Sequence, residues 1–183
     1  MEDKKKYPSL KIQNIVTAGR IAESLDIEFI ASKLDGCVFT KKKFPGAIYH
    51  INKPKIVALL FTSGKIVLTG ITSVDESREG LGVLISQLNS LGIRTSAVPD
   101  VSITNMVCSY DTGLKINLSK VIVAFNYEKI EYEPEQFPGL VYRIADPKIV
   151  ALVFSSGKVI FTGAKNIEDV KSAIDQVMKI LAQ

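Results

Sequence analysis

The chain has 183 residues, 46% of them hydrophobic, and a formal net charge of +4. That length holds one large domain or two small ones, and that apolar content excludes a disordered chain. The mild basicity suits a polyanionic partner, while no apolar run approaches the roughly 18 residues of a membrane span and MEDKKKYPSL lacks the apolar core of a signal peptide.

In chain order, residues 1–8 read as a flexible charged tail. An apolar strand is predicted at Lys11–Thr17, followed by a loop and a short helix near Asp26–Leu34. A short strand leads into the turn Phe44-Pro45-Gly46. Three strands follow at Ala47–Ile51, Ile56–Phe61 and Lys65–Thr69, with Ser63-Gly64 as the tight turn between the last two. A longer helix comes next. Ser73 and Glu76 fit an S-x-x-E capping box, Leu81, Leu84, Ile85, Leu88 and Leu91 make an apolar stripe, and Gly92 is the expected C-cap. Gly80 and Gly82 should weaken this helix by about 1 kcal/mol each relative to Ala. Ile93–Pro99 is a connector too short to let its two ends move freely.

The order then begins again. A strand is predicted at Ser102–Cys108, a helix near Leu118–Phe125, strands at Leu140–Ile144, Ile149–Phe154 and Lys158–Thr162, and a last helix with the stripe Val170, Ile174, Val177, Met178 and Leu181. The segments FPGAIYHINKPKIVALLFTSGKIVLTG (44–70) and FPGLVYRIADPKIVALVFSSGKVIFTG (137–163) align without a gap at an offset of 93, with 17 of 27 positions identical. Leu10–Val16 matches Val101–Val107 at an offset of 91, so the second copy carries a small insertion. Repeat one spans 9–92, the connector 93–99 and repeat two 100–183. Two copies of this length are not a solenoid. They imply a pseudo-symmetric molecule with matching surfaces, suited to a nearly two-fold target such as duplex DNA.

The strands break the usual rule. An antiparallel sheet with one wet face should alternate apolar and polar residues. Ile56-Val57-Ala58-Leu59-Leu60-Phe61 and Ile149-Val150-Ala151-Leu152-Val153-Phe154 do not alternate. Two helices per copy can cover one face, so the other must meet something. A dimer interface, a sandwich core and a ligand surface all satisfy this pattern. Cys37 and Cys108, at non-equivalent places, read as reduced structural cysteines of a cytosolic protein. His50 is the only histidine, and no nucleophile–base pair, metal-ligand cluster or phosphate-binding glycine loop appears, so neither enzyme activity, metal nor cofactor is expected.

Gln13-Asn14-Ile15-Val16, Thr104-Asn105-Met106-Val107, the run Tyr132–Arg143 (YEPEQFPGLVYR) and the paired Ser-Gly-Lys…Thr-Gly segments resemble the TATA-box-binding protein family, particularly its archaeal form. The resemblance covers about Leu10 to Leu181. It implies an α+β fold: a pseudo-two-fold saddle with one curved ten-stranded antiparallel sheet and four helices on the convex face, the concave face sitting on the minor groove. Minor-groove binding, wedge insertion and a kink of about 80° are properties of that family, not readings of these residues.

The resemblance assigns Phe44, Phe61, Phe137 and Phe154 as wedges between base steps. It assigns Asn14 and Asn105 to minor-groove acceptors, where an amide donor suits the A N3 and T O2 atoms. Val16, Val107, Val67, Ile160, Thr69 and Thr162 match small residues lining the same face, and Leu59 and Leu152 match apolar residues beside the wedges. Lys42, Lys43, His50, Lys65, Arg143 and Lys158 are candidates for phosphate contact, with Lys41 extending the first run. His50 stands where Arg is usual, which makes that contact weaker and pH-dependent. Glu133 and Glu135 carry the family's contact with transcription factor B. Lysines replace the acidic residue usual in the first loop of archaeal relatives, so the two loops differ in sign.

The expected function is therefore a general transcription initiation factor of the cytoplasm or nucleoid (the nucleus, in a eukaryote). Its partners would be double-stranded promoter DNA, transcription factor B, the RNA polymerase pre-initiation complex and, without DNA, a second copy as homodimer; no membrane is expected. Two alternatives share the resemblance. One is a divergent paralogue acting as a regulator. The other is the DNA-binding accessory module of a repair or nuclease system.

Overall fold

Ten strands account for the apolar runs of both repeats in a computed structural model that describes residues 6–124 and 129–182. They are β1 (Lys11–Arg20), β2 (Cys37–Phe39), β3 (Ala47–Ile51), β4 (Ile56–Leu60), β5 (Lys65–Ile71), β6 (Asp100–Asp111), β7 (Ile130–Glu131), β8 (Leu140–Ile144), β9 (Ile149–Val153) and β10 (Lys158–Ala164). Hydrogen-bonded neighbours follow the order β2-β3-β4-β5-β1-β6-β10-β9-β8-β7. Four α-helices accompany them among the described residues: α1 (Ile27–Lys33), α2 (Val74–Ser90), α3 (Leu118–Val121) and α4 (Ile167–Leu181). These are the ten strands and four helices of the α+β fold that the resemblance implies. No helix among the described residues is long and apolar enough to cross a membrane.

The chain divides into two compact units, 14–104 and 1–13 with 105–183, so β1 and β6 each run through both. Within unit 14–104, alternate residues of each strand are buried: Ile15 and Thr17, Ala47 and Tyr49, Ile56, Ala58 and Leu60, Ile66 and Leu68. Helices α1 and α2 lie against that face. The intervening residues Val16, Ile48, Val57, Leu59 and Val67 are only half-buried. Unit 105–183 repeats the pattern. Met106, Cys108, Leu140, Ala151, Val153, Val159 and Phe161 are buried, with α4 lying against β9 and β10, whereas Val107, Val141, Val150, Leu152 and Ile160 are half-buried. The unbroken apolar strands thus have one face packed under helices and one face open.

The ends of elements differ from the sequence expectation. β1 and β6 run three residues past Thr17 and Cys108, and β5 and β10 run two past Thr69 and Thr162. The β5 and β10 extensions follow register shifts beside Gly70 and Gly163. Ser73 does cap α2, accepting from the Glu76 N–H at 3.1 Å, but the Glu76 carboxylate reaches back to the N–H and hydroxyl of Thr72 at 2.9 and 3.0 Å. Leu91 is the C-cap. Gly92 is the next residue, at φ 79°, and the bonds Ile93 N–H to Leu88 O and Gly92 N–H to Asn89 O complete a Schellman motif. The second short helix ends at Val121 and continues as a 3₁₀ turn over Ile122–Ala124; Phe125, its expected last residue, lies outside the described residues.

Gly80 has a packing reason. A Cβ there would stand 2.1 Å from Ile56 Cδ1, so its absence lets α2 close on β4. Gly82 has nothing within 4 Å of that position. A buried hydroxyl pair, Thr17 Oγ1 and Ser77 Oγ at 2.7 Å, joins β1 to α2. The equivalent residues of repeat two are Cys108 and Val170, both fully buried.

Of the eight N-terminal residues expected as a tail, Met1–Lys5 lie outside the described residues. Tyr7 is buried, and its hydroxyl and the Lys6 ammonium both donate to Asp175 of α4, at 2.9 and 2.8 Å.

Candidate nucleic-acid interface

Cross-strand register determines what the open faces present. In unit 14–104 the residues Val38, Ile48, Leu59, Val67 and Ala18 stand opposite one another across five strands. In unit 105–183 the equivalent row is Glu131, Val141, Leu152, Ile160 and Ser109. The next rows are His50, Val57 and Thr69, and Arg143, Val150, Thr162 and Val107. Every minor-groove candidate is half-buried: Asn14, Val16, Leu59, Val67 and Thr69 in the first unit, and Asn105, Val107, Leu152, Ile160 and Thr162 in the second. A contiguous apolar stripe is the kind of surface that marks an interaction site or a ligand groove.

Each FPG turn brings its phenylalanine onto the one that follows β4 or β9. The Phe44 and Phe61 rings meet edge to face, with centroids 5.8 Å apart and planes at 61°. Phe137 and Phe154 repeat this at 5.8 Å and 70°. Such pairing holds a ring rigidly while leaving it partly open to solvent. The seat beneath each pair is a glycine. A Cβ on Gly46 would lie 3.0 Å from both Phe44 and Phe61, and one on Gly139 would lie 2.8 Å from Phe137 and 3.0 Å from Phe154. The sequence marked these glycines only as turn residues. Their second role depends on a ring brought in from another strand, which the local sequence does not show.

The two loops before Phe44 and Phe137 share one backbone. Lys43 and Phe44 N–H groups bond to Thr40 O, and Gln136 and Phe137 N–H groups bond to Glu133 O. Only the side chains differ: Lys41, Lys42 and Lys43 are exposed in one, Glu133 and Glu135 in the other. His50, Lys65 and Lys158 are also exposed, at the margins of the open faces. Arg143, a phosphate candidate, donates through Nε and Nη2 to Glu131 Oε1 at 3.1 and 2.9 Å. More than half of each side chain is solvent-exposed, so the pair is worth at most about 1 kcal/mol and a phosphate can displace it. Glu131 escaped the sequence reading because the pairing of β7 with β8 is what brings it to Arg143. Repeat one has Val38 at that place.

Asn14 and Asn105 are anchored alike. Asn14 Oδ1 accepts the Gly70 N–H at 2.9 Å, and Asn105 Oδ1 accepts the Gly163 N–H at 2.7 Å. Among the described residues no group of three or more His, Cys, Asp or Glu is placed to hold a metal ion.

A family model described as transcription factor TFIID (or TATA-binding protein, TBP) matches the chain twice, at residues 9–91 and 100–183. The chain is 44% identical over 173 residues to TATA-box-binding protein 2 of Methanosarcina mazei, covering 94% of each. It is 42% identical to TATA-box-binding protein 2 of Haloferax volcanii, covering 93% of this chain and 92% of that one. The solved structure of Methanococcus jannaschii TBP superposes with a TM-score of 0.86 at 39% identity, over 96% of this chain and 99% of that one.

Proposed function

Since this chain belongs to the TATA-binding protein family, whose members are DNA-binding transcription factors, we propose that it is a general transcription factor that holds A/T-rich promoter DNA in the minor groove against its open apolar faces. The observation that supports this reading is the twinned phenylalanine pair. Two phenylalanine pairs of matching geometry, each over a glycine seat, flank half-buried apolar rows. Inserted between base steps, four rings would gain less than the roughly 6–12 kcal/mol of four full burials, because each is already more than half-buried in its pair. Unstacking costs a few kcal/mol per step at two kinks, a comparable sum. The surplus must therefore come from sheet contact and from phosphate contacts by Lys42, Lys43, Lys65, Lys158, Arg143 and His50.

In this reading Asn14 and Asn105 donate to base acceptors, and Val16, Val107, Leu59, Leu152, Val67, Ile160, Thr69 and Thr162 line the groove floor. Lacking major-groove contacts, the protein would separate A·T from G·C pairs and read deformability. Glu133 and Glu135 would dock transcription factor B, and through it RNA polymerase. Without DNA, a second copy would cover the same apolar face.

The test is a gel shift at stated salt with a TATA-containing duplex and a scrambled G/C-rich one. Preferential binding to the first is expected, and equal binding would defeat the reading. Phe61→Ala and Phe154→Ala should weaken binding and reduce the bend; a normal bend in the double variant would remove the wedge assignment.

A further inference from the structure

A shared irregularity of the two repeats holds their asparagines. On β5, Leu68 pairs with Thr17 and Ile71 with Ile15, so β5 carries one more residue than β1 across this stretch. On β10, Thr162 pairs with Val107 and Ala164 with Met106, which leaves Gly163 without a partner. Gly70 and Gly163 have φ of 81° and 102°, the left-handed backbone that a bulge glycine supplies. A bulge takes an N–H out of the ladder, and such a group needs another acceptor. Both N–H groups take the same one, the side-chain oxygen of the asparagine on the facing strand.

A carboxamide has an accepting end and a donating end, and on a surface it can turn either outward. A backbone N–H only donates, so it fixes the oxygen and leaves the NH₂ for the open face. In repeat one, Thr69 Oγ1 lies 3.2 Å from Asn14 Nδ2 and 3.5 Å from Asn14 Oδ1, a hydroxyl that can accept from the one or donate to the other, so the Gly70 N–H alone fixes the orientation. We propose that the bulge N–H groups of Gly70 and Gly163 are specificity-determining positioning groups: they convert two ambivalent amides into donors only. Such a face fits an edge that offers acceptors, as A·T pairs do through A N3 and T O2. It opposes the guanine 2-amino group, which is itself a donor. An unanchored asparagine could turn its oxygen outward and accept from that amine, and the discrimination would fall. This inference rests on the minor-groove reading and adds which backbone groups set its base preference.

The anchor is testable without DNA. In the full-length chain, through-hydrogen-bond NMR coupling is expected from the Gly70 and Gly163 amide nitrogens to the side-chain carbonyl carbons of Asn14 and Asn105. Absence of both couplings overturns the proposal. Binding is then compared on duplexes that differ only in their central pairs: A·T, inosine·C, which lacks the guanine amine, and G·C. Wild type should bind the first two alike and G·C about tenfold more weakly. A Cβ meets nothing closer than 4.0 Å at Gly70 and 3.4 Å at Gly163, so Gly70→Ala with Gly163→Ala perturbs the backbone turn with little steric clash. Alanine keeps the N–H but disfavours the left-handed turn that aims it; in a folded double variant that has lost the couplings, the preference for inosine·C over G·C should shrink about tenfold. An unchanged preference overturns the proposal.

If that variant does not fold, Asn14→Asp with Asn105→Asp keeps an oxygen for each glycine and turns an acceptor outward. The ratio of inosine·C to G·C affinity, in which general charge repulsion cancels, should then fall by about tenfold or more; an unchanged ratio counts against the anchor. A wild type that ignores A/T content while showing both couplings would instead defeat the minor-groove reading.

Discussion

Burial pushes the Cys108 thiol up to about 11 and raises that of Cys37 as well, so neither presents a thiolate at neutral pH. Both are free and buried. A thiol reagent should therefore react only as the protein unfolds, and rapid labelling of native protein would contradict the packing. Asp175 titrates differently. Burial acts to raise its carboxyl, but the hydrogen bonds from Lys6 and Tyr7 outweigh it and hold the group below its ordinary range. A depressed carboxyl stabilises above its unfolded pKa and loses that contribution as pH falls through the folded one. Tyr7→Phe should accordingly narrow the gap in melting temperature between pH 7 and pH 3, and an unchanged gap would show that the contact carries no linkage. Much of the open face was legible residue by residue. Phe44 with Phe61, and Phe137 with Phe154, stand at equal spacings in the two copies, and the asparagines stand in matching strands. Gly46, Gly139 and Glu131 were not legible, because each acts on a residue that only strand pairing brings near.

Helix α2 shows how far pattern reading reaches for a whole element. Its N-cap and its terminal glycine follow from short-range chemistry, so both were readable within one residue. Its apolar stripe was readable only in part. Leu84 and Leu88 are buried as spaced, but the buried face continues through Ser77 and Gly80, small polar or bare positions that a hydrophobic pattern omits. The two glycines of this helix, alike in sequence, differ in consequence. Gly82→Ala should stabilise the protein by about 0.5–1 kcal/mol in urea unfolding, since its Cβ meets open space. Gly80→Ala should gain less or lose stability, because Ile56 must move within a packed core. Equal effects would mean that α2 does not approach β4 as closely as described. The strands were legible as strands because their apolar runs are short and bounded by turns. The bulges were not, because one extra residue leaves no mark on composition.

At the scale of the molecule, identity and difference between the repeats separate two kinds of work. The matching residues lie in strands, turns and the phenylalanine pairs, whereas the loops before Phe44 and Phe137 keep one backbone and reverse the charge. With about five permanent cations proposed for phosphate contact, the logarithm of the binding constant should fall with the logarithm of salt concentration at a slope near −4.5, and Lys65→Ala should lessen that slope by about one. A slope near zero would remove the phosphate assignments. Glu133→Lys with Glu135→Lys should abolish the complex with transcription factor B while sparing DNA binding, and intact recruitment would sink that assignment. The buried hydroxyls of Thr17 and Ser77 bear on the duplication itself. Repeat two fills the same two places with Cys108 and Val170. Ser77→Val alone strands the Thr17 hydroxyl and should cost about 1–3 kcal/mol, while adding Thr17→Cys should restore most of it. The chain thus carries two opposite corners of a double-mutant cycle, one in each half, and the two single substitutions supply the others.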